Sequence, residues 1–251
     1  MKAVQVEGNY IEVIEAHLLG DGSLSKEKQD THNSQFILVQ KRSHLDYIES
    51  LYVELQSVSL PIKLYTKKDG YEIAQYRTKH LQELTELRKK WYPNGKKVIP
   101  ATLELTPYMI AKWFCDDGSN NPDVGTAVFC TNAYDTDSLE ILRQQLRKFN
   151  IQTTIQKSNV LYVKTESYLV LMNLIKPFLP LSFAYKGKVS KKFLNRRKLK
   201  TNWKFYSPEG KLHNVTNLTA FGKEHKLLIS GLSNVASSRV LHYKGWTLCT
   251  K

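Results

Sequence analysis

Cysteine is scarce in this 251-residue chain: it has three, Cys115, Cys130 and Cys249, which stand far apart and form no Cys-x-x-Cys pair. Disulfide frameworks and structural zinc sites both need cysteines in closely spaced sets, so the sequence argues against either. The seven histidines are scattered as well, and no glycine-rich loop of the kind that cradles phosphates is present. The sequence therefore indicates neither a histidine metal site nor a nucleotide cofactor.

Long apolar runs are absent too. No stretch approaches the roughly 20 residues that an apolar helix needs to cross a bilayer, so no membrane partner is expected. The segment MKAVQVEGNYIEV lacks the apolar core of a signal peptide, which predicts an intracellular protein. Its compartment stays open between a bacterial or phage-infected cytoplasm and an organelle.

Acidic residues are few relative to basic ones: 23 Asp and Glu stand against 37 Lys and Arg, a formal net charge of +14. An excess of this size favours a polyanionic partner, most often nucleic acid, with solubility alone as the plainer explanation. From Lys186 to Lys204 the sequence KGKVSKKFLNRRKLKTNWK contains no acid. Such a one-sided block is more typical of an interaction segment than of a solvated surface.

The chain contains an internal repeat. Two apolar segments end alike, IEAHLLGDG (Ile14–Gly22) and IAKWFCDDG (Ile110–Gly118). After each come a polar stretch, a strand-like run, an amphipathic helix, a hairpin and a further helix, with Asp69-Gly70 and Ser158-Asn159 marking the hairpins. This order predicts two copies of an α-β-β-α-β-β-α unit, near 10–100 and 107–188. Thr106 is expected to cap the second apolar helix, with Pro107 in its first turn, and Asp135 or Thr136 a later one.

Each apolar helix carries small residues four positions apart, Ala16 and Gly20 in the first and Ala111 and Cys115 in the second. Small residues at this spacing allow two helices to pack closely. Their C-terminal ends would then bring Asp21 and Asp117 together. The glycines that follow, Gly22 and Gly118, fit left-handed helix caps.

Two carboxylates in that position are unfavourable, because they repel each other and each lies at the negative end of a helix dipole. A divalent cation removes the conflict, and oxygen ligands with open positions for water suit Mg²⁺. Metal-holding aspartates in a basic protein suit hydrolysis of a phosphodiester bond. A lone Asp-Gly after a helix is usually only a turn, but here it occurs twice, at the same place in a repeat.

The paired IEAHLLGDG and IAKWFCDDG resemble the two signature helices of a single-chain LAGLIDADG homing endonuclease. The resemblance covers roughly 10–190, and WFCDDG (Trp113–Gly118) is similar to a form found among mobile-intron nucleases and RNA maturases. It implies an α+β fold of two pseudo-symmetric halves whose curved antiparallel sheets straddle DNA. It also implies a monomeric, site-specific endonuclease that cuts both strands of a long, non-palindromic target and promotes intron or intein mobility. The implied cofactor is Mg²⁺, with Mn²⁺ or Ca²⁺ able to substitute in the site.

The resemblance also assigns roles to single residues. Asp21 and Asp117 would carry the metal, with Gly20 and Asp116 flanking them in the metal site. Lys97 and Lys186 would polarise water and phosphate near the end of each half. Gln35 would supply an amide near the metal, and Asn132 is the candidate for its counterpart in the second half.

The hairpin strands would present basic and amide side chains to the major groove, which a two-stranded ribbon fits. For each candidate, a solvated surface position or a phosphate contact is the alternative. The candidates in the two halves are Lys26, Lys28, His32, Lys67, Lys68, Gln75, Arg77, Asn132, Gln152, Gln156, Lys157 and Lys164.

The last part of the chain extends beyond this resemblance. SPEG (Ser207–Gly210), NLTAF (Asn217–Phe221) and HYKGW (His242–Trp246) resemble the modular helix-turn-helix repeat appended to other mobile-intron nucleases. This implies a small, mostly helical DNA-binding domain whose recognition helix runs from Ser230 to Arg239, with Ser230 or Ser233 as its cap; a small all-α cap on the core is the alternative. The expected DNA contacts are Lys191, Lys192, Arg196, Arg197, Ser230, Ser233, Asn234, Ser237 and Arg239. The predicted domains are thus 8–100, 101–190, a basic linker over 191–204, and 205–251.

Two other functions stay open. An RNA maturase on the same scaffold would assist intron splicing, with or without DNA cleavage, and would bind intron RNA. A DNA-binding regulator without chemistry would leave the doubled acidic helix ends unexplained. Both aspartates and both lysines favour the nuclease, and the extension favours duplex DNA, since A-form RNA hides its major groove from a helix.

Overall fold

A computed structural model of the chain describes residues 10–27, 29–30, 32–198 and 202–249. The chain divides into two compact units, Met1–Ser190 and Lys191–Lys251. No helix in the described ranges is both long and apolar enough to cross a bilayer.

The first half of the first unit follows the predicted element order. Its elements are α1 (Tyr10–Leu18), β1 (Ser23–Leu24), β2 (Phe36–Lys41), α2 (Leu45–Glu54), β3 (Lys63–Thr66), β4 (Glu72–Arg77) and α3 (Gln82–Trp91), with a 3₁₀ turn at Arg42–His44. The strands form an antiparallel sheet in the order β1-β2-β4-β3.

The second half repeats this arrangement. Its elements are α4 (Pro107–Asp117), β5 (Gly118–Asn121), β6 (Thr126–Phe129), α5 (Thr136–Lys148), β7 (Thr153–Ile155), β8 (Leu161–Val163) and α6 (Tyr168–Ile175), with 3₁₀ turns at Thr165–Ser167, Lys176–Phe178 and Leu181–Gly187. The sheet order is β5-β6-β8-β7, again antiparallel. The predicted α+β fold with two α-β-β-α-β-β-α halves is therefore confirmed.

Two predicted helix caps are also confirmed. The Thr106 side chain accepts a hydrogen bond from the Met109 backbone N–H at 3.2 Å, with Pro107 at the start of α4. Asp135 accepts from the Ser138 backbone N–H at 2.9 Å at the start of α5. Each satisfies an N–H that has no partner inside its helix.

The helices α1 and α4 pack against each other at the centre of the unit. The small residues predicted at this contact are fully buried at Ala16, Ala111 and Cys115. A Cβ at Gly20 would overlap the Asp116 side chain, so glycine is required where the two helix ends meet. In β2 the buried positions alternate, Phe36, Leu38 and Gln40, which directs this face of the first sheet into the core.

The second unit contains α7 (Lys191–Lys198), β9 (Trp203–Tyr206), β10 (Leu212–Val215), α8 (Leu218–Glu224), α9 (Ile229–Ala236), β11 (His242–Tyr243) and β12 (Trp246–Leu248). Its strands form a sheet in the order β10-β9-β12-β11, which the expectation of a mostly helical domain did not include. The segment predicted as a linker over 191–204 holds α7 and the start of β9. Phe205, Leu232 and Trp246 belong to an apolar core within this unit.

Two short helices do occur where they were expected, but with different ends. Asn217 caps α8 by accepting from the backbone N–H groups of Thr219 and Ala220. Ser230 and Ser233 lie inside α9 and do not cap it, because that helix begins at Ile229 after Leu228, which makes no side-chain cap. The helix ends at Ala236, three residues before the predicted Arg239.

Candidate active site

The two signature segments end differently in space. α4 continues through Asp117, whereas α1 stops at Leu18. The chain beyond Leu18 turns back, and the N–H groups of Gly20 and Gly22 both donate to the His17 carbonyl, at 3.1 and 2.9 Å. Asp21 is consequently exposed on a turn, while Asp117 is half-buried in the last turn of a helix.

Neighbouring atoms leave no room for a side chain at Gly22 or Gly118, the two glycines after the aspartates. Gly118 has φ −81° and ψ 144°, and Gly22 is likewise outside the left-handed region. The prediction of left-handed caps is therefore wrong. A Cβ at Gly22 would lie 2.6 Å from the His17 carbonyl oxygen, and one at Gly118 would overlap the Phe114 ring.

Lys97 and Lys186 each bind the C-terminal end of the signature helix in their own half. The Lys97 Nζ donates to the carbonyls of Gly20 and Gly22, at 2.8 and 2.7 Å. The Lys186 Nζ donates to the carbonyls of Phe114 and Cys115, at 3.1 and 2.6 Å. Phe114 and Cys115 belong to α4, so Lys186 lies at the negative end of that helix dipole, whereas the carbonyls bound by Lys97 lie in the turn beyond Leu18.

Burial changes the acidity of these lysines. It lowers the pKa of Lys97 to about 8, although the negative charges of Asp117, Asp116 and Asp21 oppose the shift. Burial also lowers the pKa of Lys186, again against nearby acids. A lysine that releases its proton this readily can exchange protons near neutral pH.

The surroundings of Asp116 and Asp117 disfavour the charged forms of their carboxyl groups. Burial, followed by the charges of Asp21 and Asp116, raises the pKa of Asp117 to about 7. Burial and the charge of Asp21 raise the pKa of Asp116 well above its usual range. Three carboxyl groups thus share a confined region, and a cation near them would relieve their repulsion.

The amide that contacts these carboxylates belongs to Gln40. Its Nε2 donates to Asp21 Oδ2 at 2.7 Å and to Asp116 Oδ1 at 3.2 Å. The Gln35 amide, which was predicted for this position, donates to the Thr78 carbonyl at 2.6 Å. Gln35 precedes β2, whereas Gln40 lies at the far end of that strand on its buried face, so the alternation of QFILVQ could have identified Gln40.

The second half has no equivalent amide at this position. The strand pairings align the two halves. In the first half Leu24 pairs with Phe36 and Ser23 with Ile37, so Gly22 lies opposite Leu38 by extension. In the second half Gly118 pairs with Phe129, which makes Phe129 the counterpart of Leu38. Counting two residues on from Leu38 and Phe129 makes Thr131 the counterpart of Gln40. Thr131 accepts from the Leu161 backbone N–H, and its hydroxyl donates to the Asn159 carbonyl.

The Asn132 candidate also points elsewhere. The residue is exposed between β6 and α5, and its Nδ2 donates at 2.6 Å to the carbonyl of Ser158, which lies in the hairpin between β7 and β8. The structure therefore brings together Asp21, Asp116, Asp117 and the two lysines, but neither Gln35 nor Asn132.

The DNA-contact candidates in the two halves lie mainly on the surface. The exposed ones are Lys26, His32, Lys67, Lys68, Asn132, Gln152, Gln156 and Lys157, while Gln75, Arg77 and Lys164 are partly exposed. Lys28 lies outside the described residues. Cross-strand pairing places Gln75 beside Lys63 and Val39, so Lys63 joins this face of the first sheet, as Lys41 does by alternation. Strand alternation would have found both lysines.

In the second unit the predicted contacts are also accessible. Lys191, Lys192, Ser230, Ser233, Ser237 and Arg239 are exposed, and Asn234 is partly exposed. The side chains of Arg196 and Arg197 lie outside the described part of the chain. Ser237 Oγ donates to the Ser233 carbonyl at 2.8 Å, so part of this surface bonds to its own helix.

Comparison with known proteins places this chain beside a nuclease family and two maturases. Residues 11–171 match the LAGLIDADG DNA endonuclease family. The cytochrome b mRNA maturase bI2 of Debaryomyces hansenii is 28% identical over 193 residues, covering 70% of this chain and 72% of the relative. The maturase bI2 of Saccharomyces cerevisiae is 30% identical over 203 residues, covering 71% of this chain and 47%, or about half, of the relative.

Among solved structures, the homing endonuclease I-WcaI bound to its DNA recognition sequence has the same fold. Its TM-score is 0.62 at 23% identity, over 72% of this chain and 88% of that chain.

Proposed function

The chain belongs to the LAGLIDADG DNA endonuclease family, and from that premise we propose that it is a site-specific homing endonuclease. It would hydrolyse both strands of a long, non-palindromic DNA target with Mg²⁺ and so promote the mobility of an intron or intein. The observation that carries this proposal is the meeting of Asp21 and Asp117 at the ends of α1 and α4, each helix end bound by its own lysine.

The residues at this place fit a divalent cation. Asp21 is exposed and Asp117 is half-buried, and burial, followed by the charges of Asp21 and Asp116, raises the pKa of Asp117 to about 7. Within the described residues, no group of three or more His, Cys, Asp or Glu side chains encloses one metal position. Two aspartates as the only protein ligands would leave positions for water and phosphate oxygens, which is the coordination that Mg²⁺ prefers.

When bound, the metal would supply Lewis acidity for phosphodiester hydrolysis. The chain's own groups would orient the reaction: Asp21 and Asp117 would hold the cation, and Gln40, which donates to Asp21, would fix that carboxylate. Lys97 and Lys186 place positive charge beside the carboxylates, where it can stabilise charge that develops on phosphate.

The two sheets would contact different DNA half-sites. The accessible face of the first carries Lys41, Lys63 and Gln75, whereas that of the second carries Ser119, Val128 and Tyr162, with Gln152 and Lys164 just beyond β7 and β8. Unequal faces suit a target without two-fold symmetry, and a single chain with both halves suits a monomer. The second unit would add contacts through α9 in a helix-turn-helix arrangement.

A maturase function is the second proposal, because two relatives are named cytochrome b mRNA maturases. In this case the chain would bind intron RNA and assist splicing, with or without cleavage of DNA. The intact set of Asp21, Asp117, Lys97 and Lys186 favours retention of the nuclease.

The test is cleavage of a randomised DNA library with Mg²⁺ or with EDTA, followed by sequencing of the cut ends. We expect cuts at one long site, lost by at least about 100-fold in Asp21→Asn and in Asp117→Asn. Asp135→Asn is the matched control, since asparagine caps α5 as well as aspartate does. Site protection without cutting would refute the endonuclease, and binding of intron RNA by that protein would support the maturase.

A further inference from the structure

A chain of buried polar side chains lies behind the Asp21 carboxylate. Tyr47 on α2 and His17 on α1 are fully buried, and so is the Asp116 side chain on α4. The Tyr47 hydroxyl is 3.1 Å from Asp116 Oδ1 and 3.0 Å from His17 Nδ1. The Gln40 amide then joins Asp116 Oδ1 to Asp21 Oδ2.

One placement of the protons gives every link in this chain of side chains one donor and one acceptor. Burial lowers the pKa of His17 to about 3, so its ring is neutral and carries one N–H. If that proton is on Nδ1, it is donated to Tyr47, whose own hydroxyl donates to Asp116 Oδ1. Asp116 Oδ1 accepts the second bond from Gln40, so every link has one donor and one acceptor.

Gln40 is held at both ends of its amide. Its Nε2 contacts the two aspartates, and its Oε1 is 3.3 Å from the His44 Nδ1. The His44 ring in turn packs on Phe183 with 4.2 Å between ring centroids. The amide therefore has little freedom to turn away from Asp21.

Such a network is costly to bury in a helix interface. Removing polar groups from water costs free energy unless each of their hydrogen bonds is made again inside the protein. Apolar side chains of similar volume would pack there without needing any hydrogen bonds. Two atoms of this network, Asp116 Oδ2 and His17 Nε2, have no hydrogen-bond partner among the described residues. Stability alone does not account for these residues at the centre of the molecule.

We infer that Asp116, Tyr47 and His17 are positioning residues that hold the Gln40 amide on the Asp21 carboxylate. The inference rests on the proposed function for its effect on cleavage. The second half has Thr131 in place of Gln40, so the network acts on one half-site only. Its loss should slow the cleavage of one DNA strand more than the other.

The test is a double-mutant cycle with each DNA strand labelled separately. Tyr47→Phe removes one hydroxyl, and Gln40→Leu removes the amide. We expect each to slow the same strand, Tyr47→Phe by roughly tenfold, which is the effect of one hydrogen bond. Because Tyr47 acts through Gln40, adding Tyr47→Phe to Gln40→Leu should slow cleavage no further.

The matched control is Tyr76→Phe, which removes another buried phenol hydroxyl, one that bonds Ser59 at 2.7 Å. It should leave the ratio of the two strand rates unchanged. Equal slowing of both strands in Tyr47→Phe, or a further loss in the double variant, would overturn the inference.

Asp116 has its own pair of variants. Asp116→Asn keeps the Oδ1 acceptor for Tyr47 and Gln40, so it should retain the wild-type ratio of strand rates, whereas Asp116→Leu should resemble Gln40→Leu. Loss of cleavage in Asp116→Asn comparable to that in Asp117→Asn would instead make Asp116 a metal ligand and overturn the positioning role.

A measurement without DNA separates this inference from the proposed function. In ¹⁵N-labelled protein, the Gln40 side-chain NH₂ resonance, identified by its absence in Gln40→Leu, should be protected from solvent exchange. Tyr47→Phe should reduce that protection by roughly tenfold, and Tyr76→Phe should not. If the wild type cuts no DNA, the proposed function fails, and the exchange rates alone decide whether the network holds the Gln40 amide. Equal exchange rates in the wild type and in Tyr47→Phe would refute the positioning role.

Discussion

Replacing Asp117 with asparagine should stabilise the folded protein while removing a group that the proposed reaction needs. Burial, with the charges of Asp21 and Asp116, raises the pKa of Asp117 from 3.8 to about 7. A tenfold change in acidity corresponds to about 1.4 kcal/mol, so the ionised carboxylate costs the fold up to about 4 kcal/mol at pH 8. Water reaches part of this side chain and screens its charge, so we expect a gain of about 2 kcal/mol from Asp117→Asn.

The pH dependence has a definite sign. The folded pKa lies above the unfolded value, so between about pH 4 and pH 7 the folded state binds more protons than the unfolded state. The contribution of this carboxyl to stability therefore falls as pH rises through that window. Asparagine takes up no proton, so the advantage of the variant should be largest above about pH 7 and should shrink towards pH 4.

Thermal unfolding of the full chain in EDTA at pH 8 and pH 5 measures this difference. About 2 kcal/mol corresponds to a rise of about 4–8 °C in the Tm of the first unit. Asp69→Asn, at an exposed hairpin position, serves as the control and should change stability by less than about 0.5 kcal/mol. A variant that is no more stable than the wild type at pH 8, or a difference that is the same at both pH values, would refute the reasoning.

Three further predictions concern the lysine, the glycine and the second unit. Lys97→Met should lower the single-turnover cleavage rate by about 100-fold, since it removes a half-buried cation beside the carboxylates, while Lys96→Met at the exposed neighbouring position should cut normally. Gly118→Ala should lower the free energy of unfolding by more than about 2 kcal/mol in urea titrations, because its Cβ would overlap the Phe114 ring. Leu232→Ala should destabilise the second unit by about 2–5 kcal/mol in calorimetry, because the side chain is fully buried in that unit's apolar core.

The repeated architecture was predictable because its signals are local. Hydrophobic periodicity, the Asp-Gly hairpin and the caps at Thr106 and Asp135 act within a few residues, so they can be read without knowing the fold. The four strands of the second unit were missed for the same reason. Strands of two to four residues, such as Trp203–Tyr206, offer too few alternations for a pattern to be detected.

The active-site details depend on contacts between distant segments. Asp21 and Asp117 were identified because the motif repeats. The alternation of QFILVQ separates Gln35 from Gln40, but which of the two faces the carboxylates depends on how the strand packs against α1 and α4. The role of Gly118 was misjudged because its neighbour is the Phe114 ring, a spatial constraint that a Gly after a helix does not reveal. His17, Tyr47 and Asp116 come from three helices, so no local pattern marks them as a network.

The two halves share a fold but have unequal chemistry, and their covalent connection makes this possible. In a symmetric dimer every substitution occurs twice, so a buried Gln40 network on one side would require the same network on the other. In this chain Thr131 takes the corresponding position, Asp21 lies on a turn, and Asp117 stays helical. Each half of the protein can therefore hold its aspartate in a different way, and the two sheet faces can carry different side chains. Because the two halves can change separately, they can differ in the groups at the centre of the site as well as in the surfaces that would contact an asymmetric target.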